Sequence, residues 1–299
     1  VMIDSEEFLQ TLLELDVRFF AGVPDSLLKD ICYCFSKSLS NKDHIITCNE
    51  GAAVSLGIGH YLATSRPALI YLQNSGLGNT INPLISLSHK EVYSIPLILL
   101  IGWRGELRED KSQLEDEPQH RAQGKITCKQ LELMGIDYFI LDSKNSNNFK
   151  ELINIYLKKS IKNSVPFAIV VRKNCFKKNK KISLRNQPSK LLSREKIIKL
   201  TIKSIPMDTT IVSTTGFTSR ELFEIRKIEN MSHENDFLTI GGMGHTSQIA
   251  AGIALAKPSQ RILCIDGDGS LLMHSGSMAV NALCSNLVHI VINNGVHDS

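Results

Sequence analysis

RILCIDGDGS at residues 261–270 and VHIVINN at residues 288–294 are two short apolar runs, each ending in glycine or in oxygen-bearing side chains. Runs of this length, 261–265 and 288–292, read as strands buried on both faces, which is the pattern of a parallel sheet. In a parallel sheet the carboxyl ends share one edge, and ligands bind there. Gly267-Asp268-Gly269-Ser270 and Asn293-Asn294 therefore fall at one edge. Gly267 and Gly269 let backbone N–H groups approach a phosphate, and Ser270 is expected to open a helix whose N-terminus favours anions. Asp268 and Asn294 offer two hard oxygen ligands to one cation. Magnesium suits such a pair, because it takes few protein carboxylates and completes its octahedron with diphosphate oxygens and water. Taken separately, GDG is a turn and NNG a loop; their joint position at two strand ends favours the metal reading.

The same rhythm extends outward. Strands are expected at 17–21, 44–48, 68–72, 95–102, 137–141 and 167–171, then at 210–213 and 237–240, with helically periodic stretches between them. The alternation predicts an α/β fold of two domains, each a parallel sheet flanked by helices. The expected divisions are 1–172, a basic linker at 173–192, and 193–299. A chain of 299 residues, 42% hydrophobic, is long enough for two cores. Between Arg172 and Lys203, twelve Lys or Arg meet one acid, Glu195, leaving −7 on the rest of a chain whose net charge is +4. Asn179, Asn186 and Pro188 interrupt that run, so it reads as a solvated linker. A nucleic-acid patch is the alternative, although the acidic remainder is not a nucleic-acid footprint. Seven cysteines without a C-x-x-C pair point to reduced thiols in a cytoplasmic enzyme. No apolar run reaches the roughly 18 residues of a membrane span. The first ten residues carry three acids and no base, against a secretory leader. The second domain, stopping at Ser299 soon after a strand, reads as C-terminally incomplete.

GDGS followed by NN resembles the cofactor motif of the thiamin diphosphate-dependent decarboxylase family. The resemblance implies a pyrimidine-binding first domain, a diphosphate- and Mg2+-binding second domain, and a homodimer or homotetramer with its sites at the subunit interface. In Thr47-Cys48-Asn49-Glu50-Gly51-Ala52-Ala53, Glu50 would hydrogen-bond the pyrimidine and drive its imino tautomer. Read alone, Glu50 is a first-turn acid favoured by the helix dipole. Gly241-Gly242-Met243-Gly244 looks like a third element, with Met243 propping the cofactor and the Gly241 carbonyl meeting its 4′-amino group. Read alone, Met243 is a core residue. The Val296 carbonyl would be the third metal ligand.

Gly22-Val23-Pro24-Asp25-Ser26, Asn74-Ser75-Gly76, Gly102-Trp103-Arg104-Gly105-Glu106 and Asp116-Glu117-Pro118-Gln119-His120 narrow the likeness to the phosphonopyruvate decarboxylases of that family. This implies a 2-oxo acid bearing a phosphonate as substrate, with phosphonoacetaldehyde and CO2 as products, in phosphonate biosynthesis. A 2-oxo acid loses CO2 only if the electrons left behind have a sink, which thiamin supplies. Arg104 and Asp25 are then expected at the substrate, and His120 and Ser26 join Glu50 in catalysis. An arginine fork matches a tetrahedral oxyanion, and a histidine titrates near neutrality. The plainer alternatives are a surface ion pair of Arg104 with Glu106, Glu109 or Asp110, a solvated loop for His120, and a helix N-cap for Ser26. His297 and Asp298 follow the metal motif and are candidates to face the reacting carbonyl. Trp103 is expected to pack beneath the site. A sulfopyruvate decarboxylase, and a non-catalytic cofactor-binding fragment, are the competing functions.

Overall fold

The computed structural model describes residues 2–178 and 191–295, which form two compact units. The first runs Ser5–Glu14 (α1), Phe20–Gly22 (β1), Lys29–Ser38 (α2), His44–Ile46 (β2), Glu50–Thr64 (α3) and Leu69–Gln73 (β3). It continues Leu77–Pro83 (α4), Ile98–Gly102 (β4), Pro118–Leu133 (α5), Asp137–Leu141 (β5), Phe149–Asn163 (α6) and Phe167–Val171 (β6). Its six strands are parallel, in the order β2-β1-β3-β4-β6-β5. β4 and β6 are buried at every position, as continuous apolar runs require. Phe8, Phe35 and Phe149 fill one face of the sheet, and Val54, Leu84 and Leu131 the other. The strand order reverses between β1 and β3, which opens a crevice at their carboxyl ends.

The second unit runs Arg194–Ser204 (α7), Thr210–Ser213 (β7), Phe217–Ile228 (α8), Asp236–Leu238 (β8), Thr246–Ala256 (α9), Ile262–Gly267 (β9), Asp268–Met273 (α10), Met278–Asn281 (α11) and Leu287–Ile292 (β10). Four parallel strands lie in the order β10-β9-β7-β8, so the reversal falls between β7 and β9. No helix of the described residues is long and apolar enough to cross a membrane.

All ten expected strands form, but 288–292 is not buried on both faces, since β10 lies at the edge of the described sheet with Val288 exposed, and three further expectations need correction. The 17–21 run enters the sheet only at Phe20, because Val17 N–H bonds Leu12 O at 3.0 Å and closes α1 instead. The 95–102 run starts at Ile98: Ile95 N–H is spent on Ser88 O, and Pro96 has no N–H to give. The linker does not begin at 173. Phe176 pairs with Ile3, Lys177 N–H bonds Ile3 O at 2.8 Å, and Phe176 is buried in the first core. Residues 179–190, the heart of the expected linker, lie outside the described residues.

Candidate active site

In the first unit the expected residues gather at the carboxyl edge of the sheet. Asn49 caps α3, its side chain accepting Ala52 N–H at 2.8 Å, and this makes Glu50 the first helical residue after β2. Glu50 is nonetheless 4% exposed, not the solvated acid of an ordinary first turn. Asn79 Nδ2 donates to its Oε2 at 2.7 Å. A Cβ at Gly76 would overlap its Oε1, so the glycine makes the space this carboxyl occupies. Burial raises the Glu50 pKa, against the bond from Asn79.

Asp25 follows β1 in a tight turn, its Oδ2 accepting Leu27 N–H at 3.1 Å. It is 1% exposed, and a Cβ at Gly102, the end of β4, would collide with it. Among the described residues its Oδ1 has no hydrogen-bond partner. Burial pushes its pKa up to about 6, against the pull of Arg104 and of backbone N–H groups. A buried carboxyl that resists ionisation costs stability once it is forced to ionise. The pKa is raised on folding, so the contribution is whole below about pH 4 and is lost as pH rises through 6. Asp25→Asn should therefore stabilise the fold above pH 6, by about 2–3 kcal/mol, and have little effect near pH 4. Denaturant melts of both proteins at pH 4.5 and 7.5 measure this; an equal change at the two pH values would refute it.

Arg104 follows β4. Its Nε and Nη2 make a two-pronged bond to Asp116, at 3.0 and 2.6 Å, and its Nη1 donates to Ser26 Oγ at 3.1 Å. The alternative ion pairs with Glu106, Glu109 and Asp110 do not form. Glu106 is paired with Arg172, and Glu109 with Lys144. Burial raises the Asp116 pKa, but the Arg104 bonds and the amides of Gly105 and Glu117 outweigh it and hold the group ionised. Ser26 is not a helix cap, since Leu28 holds that place on α2. Asn74, fully buried after β3, clamps the Arg104 backbone at both N–H and C=O and bonds Thr127.

Pro118 opens α5, placing His120 in its first turn, largely buried and not in a solvated loop. His120 Nε2 lies 3.5 Å from Glu117, and its buried Nδ1 has no partner among the described residues. Burial and then Arg104 lower its pKa, which favours the neutral ring. Trp103 packs below, donating to Gly124 O at 2.9 Å with Arg172 over its ring.

In the second unit, Asp268 Oδ1 accepts Gly269 N–H and Oδ2 accepts Gly295 N–H, both at 3.0 Å, so the ends of β9 and β10 meet as expected. A Cβ added at Gly267 would meet open space, which leaves its backbone accessible to a ligand. Ser270 does not open the helix: α10 begins at Asp268. Its hydroxyl points inward, 4% exposed, accepting Gly244 N–H at 3.0 Å and the Thr214 hydroxyl at 3.1 Å. Ser270 thus binds the Gly241–Gly244 turn to the end of β7. Gly241 and Met243 lie in that turn, both partly exposed, so Met243 is not core. Asn294 is exposed beside Gly295. Val296, His297 and Asp298 lie outside the described residues. Asp116, Asn74, Asn79 and Thr214 were not assigned roles from sequence. Asp116 carried a signal, an acid just before a helix-opening Glu-Pro pair; the others act through distant partners.

Two family models match the chain. Residues 5–129 match the thiamine pyrophosphate enzyme, N-terminal TPP binding domain, and residues 214–299 the C-terminal TPP binding domain. A sulfopyruvate decarboxylase subunit alpha from Methanococcus maripaludis is 33% identical over 56% of this chain and 93% of its own length. This chain belongs to the thiamine pyrophosphate enzyme family. Phosphonopyruvate decarboxylase from Streptomyces viridochromogenes is 29% identical over the whole chain and 75% of its own length. Sulfopyruvate decarboxylase from Methanosarcina acetivorans is 26% identical over 99% of the chain and 76% of its own length. Within the family the chain stands among the decarboxylases, which are carboxy-lyases, and its cofactor is thiamine pyrophosphate (thiamin diphosphate) with Mg2+.

The residues present fit that cofactor. The Gly76 cradle sets a buried carboxyl, Glu50, at the sheet edge. Asp268 and Asn294 carry the hard oxygens a magnesium diphosphate requires, beside the open backbone at Gly267. When bound, the cofactor supplies the electron sink for loss of CO2. Glu50, whose ionised form burial disfavours, can share a proton with a ring nitrogen set against it. Ser26 accepts from Arg104 and keeps its own hydrogen to donate. His120 carries an unpartnered nitrogen that can hold or release a proton.

Proposed function

We propose that the protein decarboxylates 3-phosphonopyruvate to phosphonoacetaldehyde and CO2. The seating of Arg104 carries this reading. Of its five N–H donors Asp116 takes two and Ser26 one. Among the described residues, one hydrogen on each terminal nitrogen is left for a tetrahedral oxyanion. Asp25, His120 and Ser26 surround that group, and Glu50 serves the cofactor. The Streptomyces relative supports the choice of phosphonate. The second reading, sulfopyruvate, is favoured by the methanogen relatives. The two substrates differ by charge at one end, because a phosphonate loses a second proton around neutral pH and a sulfonate has only one negative charge. CO2 release from phosphonopyruvate, sulfopyruvate and pyruvate tests the proposal. Preference for sulfopyruvate selects the second reading, and release from none of them removes both.

Arg104→Ala should lower kcat/KM for phosphonopyruvate by about 30- to 1,000-fold, the loss of a charge-assisted contact of about 2–4 kcal/mol. Pyruvate, which lacks the second anion, should lose far less. An equal loss for both would mean that Arg104 holds its loop and does not read the anion.

The assembly in this proposal is a homodimer or homotetramer with the cofactor shared between chains. α3 is apolar on most of its surface, yet Leu56 and Leu62 are exposed, and α9 exposes Leu255. Mass measurement in solution checks this, and an active monomer would exclude it. The seven thiols are unpaired, in keeping with a reducing, cytoplasmic setting.

A further inference from the structure

Asp266 lies near the end of β9, two residues before Asp268, and is 1% exposed. By strand alternation it shares a face of β9 with Cys264, which belongs to an apolar layer with Ala250 and Ala251, where an ionisable group is costly. His289, on β10, places Nε2 3.4 Å from Asp266 Oδ2, and among the described residues no other partner reaches that nitrogen. The contact is long for a hydrogen bond, and its direction can be read from what lies behind it. Gln248 Nε2 donates to the backbone carbonyl of Ser277 at 3.1 Å, which fixes the Gln248 amide. The same nitrogen donates to Asn281 Oδ1 at 2.8 Å, which fixes Asn281. Asn281 Nδ2 then faces His289 Nδ1 at 3.4 Å as a donor. His289 Nδ1 is the acceptor, and the ring hydrogen sits on Nε2, aimed at Asp266.

On its other side Asp266 meets the cofactor loop. Gly267 N–H donates to its Oδ1 at 2.9 Å. Gly267 ends β9 directly before Asp268, the first residue of α10, so this bond fastens the loop at the residue before Asp268. One polar line thus runs from α9, the helix after the Gly241–Gly244 turn, through α11 and β10 to the loop that bears Asp268.

We infer that Asp266, oriented by His289, is a positioning residue for the metal: through Gly267 N–H it fixes the start of the loop so that Asp268 is held in place to bind the cation. The inference rests on the family's cofactor and is independent of the substrate. Partners behind metal ligands typically govern affinity by 10- to 100-fold.

The test uses full-length protein, with Mn2+ as the probe, titrated in the presence of thiamin diphosphate and followed by electron paramagnetic resonance. Asp266→Asn and His289→Phe should each weaken Mn2+ binding about 10- to 100-fold. The melting temperature of the cofactor-free protein should stay within a few degrees. His289→Gln, which keeps an N–H directed at Asp266, should recover part of the loss. Wild-type Mn2+ affinity in the folded variants would overturn the inference. So would failure of both variants to fold, which would make the pair a folding device. Cys264, Asp266 and His289 place ligand atoms within 4.8 Å of one another. Stoichiometric zinc in the purified protein, lost on Cys264→Ala, would also overturn it, by making the trio a metal site of its own.

Discussion

Asp268→Ala should abolish Mg2+-dependent binding of thiamin diphosphate and leave the protein folded. The carboxylate is only partly buried, so its loss leaves no cavity in the core. It does three things at once. It offers the one charged oxygen ligand at the ends of β9 and β10 expected to meet the cation. It accepts Gly269 N–H within its own loop. It accepts Gly295 N–H from the facing loop, which ties the loop that bears Asn294 to its own. Alanine removes the ligand and the link together. Charge-assisted contacts of this kind are worth about 3 kcal/mol or more, so cofactor affinity at saturating Mg2+ should fall by at least about 100-fold. Calorimetric titration of the cofactor, with and without Mg2+, measures it. Affinity unchanged from wild type, with Mg2+ dependence intact, would move the cation to other ligands.

Glu50→Gln should cost two to four orders of magnitude in turnover, while the cofactor still binds. Volume and hydrogen-bonding shape are kept, and Asn79 can still donate to the side-chain oxygen, so the first turn of α3 should form as before. What disappears is a proton that the group can share. Positioned proton transfer is typically worth about 10²- to 10⁴-fold, and burial has already set this carboxyl toward the protonated form. The sensitive measurement is hydrogen–deuterium exchange at the cofactor's reactive carbon. Exchange in the variant as fast as in wild type would falsify the role. Gly76→Ala offers an independent check, because its Cβ would displace the Glu50 carboxyl without changing its chemistry.

Glu50 shows why the sequence carries some parts of such a site and not others. Its place, directly after a strand and at the head of a small-residue helix, is local information, and so is the Asn49 cap that fixes it. That it is buried, and that burial shifts its proton affinity, depends on Asn79 and Gly76, residues 29 and 26 positions away, brought to it by the β3–α4 turn. Arg104 is the sharper case. Sequence proximity pointed to Glu106, Glu109 or Asp110 as partners. The chain instead turns back at residues 105–117 and presents Asp116, while the end of β1 supplies Ser26. Ser270 likewise reads as the residue that opens a helix toward an anion, and tertiary contacts with Thr214 and Gly244 turn it inward.

The sequence by itself determined the two parallel α/β units and the edge at which their chemistry lies. Both follow from local rules, the length of apolar runs and the glycines and acids at their ends, which do not depend on distant residues. Only the tertiary structure decided the electrostatics: which carboxyl is buried with its pKa raised, which stays ionised against an arginine, and which is held from behind by a histidine. Those outcomes depend on desolvation and on partners 12 to 78 residues away along the chain, and no reading of neighbours in sequence contains them.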